Sequence, residues 1–129
     1  MPAMRMRSPL GRAIGLGSAK EGVEHWWRQR LTAVALVPLS LWFMIAVLRL
    51  LGADFAAARH AIGCPFPAVM MLLLVAAGFW HAALGLQVVI EDYVHAEWGR
   101  LCLVVLLRLL AVALAVAGVF AVLRVALVP

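Results

Sequence analysis

The sequence predicts an all-α membrane protein of three transmembrane helices, with its N-terminus in the cytoplasm and its C-terminus on the outer side. Three observations predict it. Of 129 residues, 67% are apolar and 13% charged, with a mean hydropathy of +1.06, whereas soluble domains are about 45–50% apolar and about 25% charged. The apolar residues form long unbroken runs, without the alternating polarity of a membrane barrel. A bilayer core takes about 20 apolar residues per helix, so this length holds three spans and short connections and leaves no room for a soluble catalytic domain. Helices satisfy their own backbone groups where water is absent.

Residues 1–30 form a basic cytoplasmic entry segment carrying Arg5, Arg7, Arg12, Lys20, Arg28 and Arg30 against Glu21 and Glu24. A signal peptide fits poorly, because the first apolar run begins near Leu31, is too long for a signal core and lacks a small-residue cleavage site. Residues 1–19, rich in Arg and free of acid, also fit a transit peptide. The membrane anchor then occupies 31–129, with spans at about 31–51, 67–91 and 101–124. Leu31 to Leu48 contains no Asp, Glu, Lys or Arg, and Arg49 marks its far end. Pro38 inside this run predicts a mild kink near Val34 to Pro38.

Gly52, Asp54, Arg59, His60, Gly63 and the Cys64-Pro65-Phe66-Pro67 stretch form a connection and then a helix start. The second span follows and ends at Glu91 and Asp92, which with Glu97 and Arg100 make a polar connection over 91–100. The third span is interrupted by Arg108, expected to snorkel to the head groups, and Arg124 lies near its exit. Basic residues in the flanks number seven on the side of the N-terminus and Arg100, against Arg49, Arg59 and Arg124 on the other. That asymmetry sets the orientation, and Trp26, Trp27 and Trp98 fall at the same cytoplasmic boundary.

Cys64 and Cys102 lie too far apart along this topology for a disulfide and lack a C-x-x-C spacing. The formal charge of +5 does not point to nucleic acid, because the basic residues flank apolar runs and serve orientation. Met70 and Met71 read as packing residues.

His81 is the exception within the second span. It lies eleven residues before Asp92, or about 16 Å along a helix, in the hydrocarbon. Ionisable groups at that depth usually face protein and mark function. Two readings are open: a neutral His bonding a neighbouring helix, or an axial haem ligand. Gly78 and Gly85, at i−3 and i+4, thin one stripe enough to admit either a flat macrocycle or a close helix. His25 and His95 lie near the cytoplasmic edge and His60 in the outer loop, so a second axial ligand has to come from another chain. Asp92 returns to nearly the face of His81, with Tyr93 beside it. This pair reads either as a helix end with a belt aromatic or as a site where a tyrosine hydroxyl bonds a quinone carbonyl next to an acid.

The segment Trp80-His81-Ala82-Ala83-Leu84-Gly85-Leu86-Gln87-Val88-Val89-Ile90-Glu91-Asp92-Tyr93-Val94 resembles the second helix of the small hydrophobic anchor of succinate dehydrogenases. The stretch Gly22 to Ala33, with Arg30 before Thr32-Ala33, is similar to that family's entry to helix one. The resemblance implies a complex in the bacterial inner (cytoplasmic) membrane, in which a flavoprotein subunit and an iron-sulfur subunit sit on two anchors that share haem b and bind ubiquinone. It implies His81 as an axial haem ligand, Arg30 near the haem propionates, and Tyr93 with Asp92 at the quinone, and on that reading Gly85 of the family pattern and Gly78 from the spacing around His81 leave room for the porphyrin. Two rivals remain: an anchor of a related fumarate reductase using menaquinone, and a haem-free structural or assembly subunit. A transporter would need inverted repeats or paired broken helices, which the spans lack.

Overall fold

The computed structural model describes residues 20–128, so residues 1–19 of the basic entry segment lie outside the described residues. Four helices follow one another: α1 at Lys20–Arg49, α2 at Phe55–Gly63, α3 at Pro65–Tyr93 and α4 at Glu97–Leu127. Three stretches are long and apolar enough to cross a bilayer: Val23–Arg49, Pro65–Tyr93 and Glu97–Leu127. The all-helical, three-span architecture expected from the sequence is present.

Each long helix outruns its apolar core, because the flanking polar residues also favour helix. Arg28 pairs with Glu24 one turn earlier on α1, a spacing that supports helix beyond the hydrocarbon. Pro38 lies inside α1. Glu97 occupies the first turn of α4, where a carboxylate meets the positive end of the helix dipole. The polar connection expected over 91–100 therefore contracts to residues 94–96.

The connection between the first two spans contains a helix that hydropathy does not reveal. After α1, Gly52 adopts φ +81°, a left-handed turn that glycine accepts without strain. Asp54 then caps α2, its Oδ1 accepting from Ala57 N at 2.7 Å, which satisfies one of the donors a helix start leaves open. Pro65 starts α3 at a position where its missing N–H costs nothing.

α3 packs against α1 on one side and α4 on another, α2 rests on α3 and α4, and α1 does not touch α4. The helix carrying His81 is thus the central member of a row. It comes close to α4 at Gly118, where a Cβ would stand 2.9 Å from Val75 Cγ1. Small residues permit such approach in membranes, where packing replaces hydrophobic exclusion. Among the described residues only Leu39, Ala68 and Val122 are buried apolar residues. The remaining apolar surface faces outward, towards lipid or other chains. Cys64 and Cys102 are free thiols, and Cys64 Sγ donates to His60 O at 3.4 Å.

Candidate functional site

α1 and α3 run antiparallel, as successive contacts show. Trp42 meets Phe66 edge to face with ring centroids 6.4 Å apart, Thr32 meets His81, and Gln29 meets Gly85. The second of these is polar: Thr32 Oγ1 lies 2.9 Å from His81 Nδ1. Thr32 Oγ1 also lies 2.9 Å from Arg28 O and 3.0 Å from Gln29 O, the carbonyls one turn back on its own helix. His81 therefore does make the interhelical bond that one sequence reading expected, with a single ring nitrogen. Nε2 has no hydrogen-bond partner among the described residues. One nitrogen held by a neighbouring helix and the other left open is the arrangement of metal-bound histidines.

The two glycines of the His81 stripe separate in the structure. A Cβ on Gly78 would meet nothing within 4 Å, whereas one on Gly85 would touch Gln29 Nε2 at 3.6 Å. Gly78 borders open space, and Gly85 lies at the contact with α1. With His81 Nε2 available and open room one turn away, the residues fit a haem edge approaching from outside the chain. Among the described residues no three of His, Cys, Asp and Glu gather into a metal-binding group, so the donor at this point is the single imidazole of His81.

Arg30 lies two residues from Thr32, about 200° around α1. Its guanidinium carbon sits 5.1 Å from the centroid of Trp26, a cation–π contact, and Trp26 in turn meets Trp27 edge on at 5.4 Å. His25, one turn further out, has a buried Nε2 without a partner. The site thus brings His81 together with Thr32 and does not bring Arg30 to the same contact.

α3 continues unbroken through Tyr93, so Asp92 keeps its place on nearly the same face as His81, about 16 Å along the helix. Asp92 and Tyr93 are exposed, Tyr93 by 80%, and neither hydrogen-bonds another described side chain. Tyr93 presents a donor and Asp92 an acceptor to whatever lies beside the helix end.

The sequence marks Thr32 only as half of a small-residue pair with Ala33. Its signal was the register: a hydroxyl one helical depth from the intramembrane His, on the adjacent antiparallel helix. Gln87, likewise assigned no role, accepts from Arg108.

A protein-family model described as succinate dehydrogenase/fumarate reductase transmembrane subunit matches residues 4–127. The succinate dehydrogenase hydrophobic membrane anchor subunit of Rickettsia bellii is 35% identical over 116 residues, covering 90% of this chain and 93% of that protein. The subunit of the same description from Paracoccus denitrificans is 41% identical over 90 residues, 70% of each chain. The succinate dehydrogenase membrane anchor subunit of Reclinomonas americana is 31% identical over 100 residues, 72% of this chain and 80% of that one. No solved structure matches the chain.

Proposed function

The chain belongs to the succinate dehydrogenase/fumarate reductase transmembrane subunit family, as a multi-pass succinate dehydrogenase membrane anchor, and on that premise we propose that it helps bind haem b and ubiquinone. In this role it lies in the bacterial inner membrane with its N-terminus in the cytoplasm. Its partners are a flavoprotein subunit, an iron-sulfur subunit and a second anchor that shares the haem. Electrons pass from the iron-sulfur subunit to ubiquinone across the complex, and the chain has no activity alone.

The observation that carries this reading is His81: an intramembrane imidazole whose Nδ1 is engaged by Thr32 at 2.9 Å and whose Nε2 remains for iron. Haem b, when bound, supplies a one-electron store close to the quinone. The chain's own residues do the rest. His81 Nε2 would hold the iron, Gly78 would keep side-chain bulk away from the approach, Gly85 would let α1 pack close beside His81, and Arg30, already oriented by Trp26, would offer guanidinium donors to the propionates. At the cytoplasmic end Tyr93 donates its hydroxyl proton in a hydrogen bond to a quinone carbonyl, and Asp92 supplies an acceptor beside it.

The test is a reduced-minus-oxidised spectrum of the complex purified through a tag on this chain. A b-type band is expected in the parent and its loss or shift in His81→Leu, with succinate oxidation by an artificial acceptor retained. A parent without the band, or an assembled His81→Leu complex with an unchanged band, would overturn the haem reading. Quinone extracted from the same preparation distinguishes ubiquinone from menaquinone.

A further inference from the structure

Resting on the assignment of His81 to haem, we propose that Thr32 is a positioning residue that holds His81 as the Nδ1-protonated tautomer, with its lone pair on Nε2 for iron. The assignment follows from counting protons. A threonine hydroxyl has one proton and two acceptor lone pairs. Three groups surround Thr32 Oγ1: Arg28 O at 2.9 Å, Gln29 O at 3.0 Å and His81 Nδ1 at 2.9 Å. The two carbonyl oxygens only accept, so the hydroxyl proton goes back to them. Were it directed at Nδ1, the lone pairs of Oγ1 would face both carbonyl oxygens at hydrogen-bond distance, an acceptor–acceptor approach that a medium of low dielectric makes repulsive. The contact with His81 is therefore donated by the ring, as Nδ1–H to Oγ1. In a neutral imidazole this leaves Nε2 unprotonated, which is the form that binds a metal.

The identity of the acceptor matters as much as its presence. A hydroxyl is neutral, so it orients the ring and modestly raises the basicity of Nε2 without drawing the proton away as a carboxylate would. The hydroxyl is itself polarised by the carbonyls it donates to, which strengthens its acceptance from the ring. The same bond crosses from α1 to α3, so the packing of these two helices and the aim of the ligand are set by one contact.

The experiment compares the purified parent complex with Thr32→Val, which keeps the shape and removes the acceptor, and Thr32→Ser, which keeps the hydroxyl. The readouts are haem content, the haem midpoint potential and the low-spin electron paramagnetic resonance signal. Losing the acceptor makes Nε2 a weaker donor and stabilises ferric haem less. Thr32→Val is expected to shift the potential in the positive direction, alter the resonance signal and lower haem affinity by about ten-fold to a hundred-fold, with Thr32→Ser restoring the parent values. Artificial-acceptor activity reports that the soluble subunits are intact in each case. Should Thr32→Val fail to assemble, Thr32→Cys, a weaker acceptor in the same place, is expected to give a smaller shift of the same sign. A parent-like potential and signal in the assembled Val or Cys complex would overturn the role of Thr32 while leaving His81 as ligand. An unchanged haem spectrum in His81→Leu would instead remove the haem assignment and this inference with it.

Discussion

Arg108 of α4 donates from Nη2 to Gln87 Oε1 on α3 at 3.0 Å, and Gln87 Nε2 donates onward to Glu91 Oε1 at 2.8 Å. The sequence led to the expectation that Arg108 snorkels to the head groups. In the structure its guanidinium is directed at the neighbouring helix, and the charge is drawn through an amide to a carboxylate one turn nearer the membrane boundary. Polar bonds between membrane helices contribute about 1–2 kcal/mol in model peptides. Arg108→Leu is therefore expected to lower the thermal stability of the purified complex by about that amount, and Gln87→Leu to add little in the Arg108→Leu background. Fully additive losses in that double-mutant cycle would show the two side chains to be independent.

Gly118 and Val75 meet closely between α3 and α4, where a Cβ on the glycine would come within 2.9 Å of Val75 Cγ1. A β-branched valine has few rotamers in a helix to retreat into. Overpacking of this kind costs about 1–3 kcal/mol, so Gly118→Ala should lower the melting temperature of the complex and Val75→Ala should restore it in the double variant. A Gly118→Ala complex as stable as the parent would mean that the helices part without penalty.

The two glycines near His81 are expected to behave differently. Gly78 borders open space while Gly85 faces Gln29. Gly78→Leu should leave the α1–α3 contact intact and reduce haem retention by filling the approach. Gly85→Leu should displace Gln29 as well, lowering haem retention and thermal stability together. Normal haem content in Gly78→Leu would remove that glycine from the haem site.

The spans were legible because hydropathy reports depth: charge-free runs bounded by Arg49, Glu91 and Arg124 locate each helix along the membrane normal. The rotation of one helix against another is not encoded in hydropathy, since all faces of α3 and α4 are apolar. The partners of His81 and Arg108 were for that reason not legible, although both residues stood out as polar groups at improper depth. α2 is hidden for a different cause. Its nine residues are too few for a span, and Gly52, Gly63 and the prolines read as a connection, although Asp54 ahead of the alanine-rich stretch carries the capping signal. Asp92 keeps its place on nearly the face of His81, with Tyr93 one position further round, because α3 runs straight through to Tyr93.

Orientation rests on the count of flanking basic residues, and thiol labelling reads it directly. With Cys64 and Cys102 replaced by Ala, a cysteine at exposed Ala56 on α2 should react with a membrane-impermeant reagent in intact cells. One at exposed Glu97, in the first turn of α4, should react only after permeabilisation. The reverse pattern would invert the topology and move Tyr93 to the opposite membrane face.

Tyr93 ends α3 with 80% of its surface exposed, which serves a belt aromatic and a quinone ligand equally well, so the hydroxyl has to be tested apart from the ring. Phe keeps the ring and removes only the donor. A hydrogen bond to an oxygen gaining negative charge during reduction strengthens as the charge develops, and bonds to charged groups contribute about 1.5–3 kcal/mol. Acting in the transition state, that corresponds to a rate loss of about ten-fold to over a hundred-fold. Tyr93→Phe is therefore expected to slow quinone reduction by this factor, with haem content and artificial-acceptor activity near those of the parent. Asp92→Asn should weaken the same step and no other, because Asp92 shares the helix end with Tyr93 and lies about 16 Å along the helix from His81. Quinone reduction at the parent rate in Tyr93→Phe would leave Tyr93 as an interfacial anchor and transfer the quinone site to the other subunits.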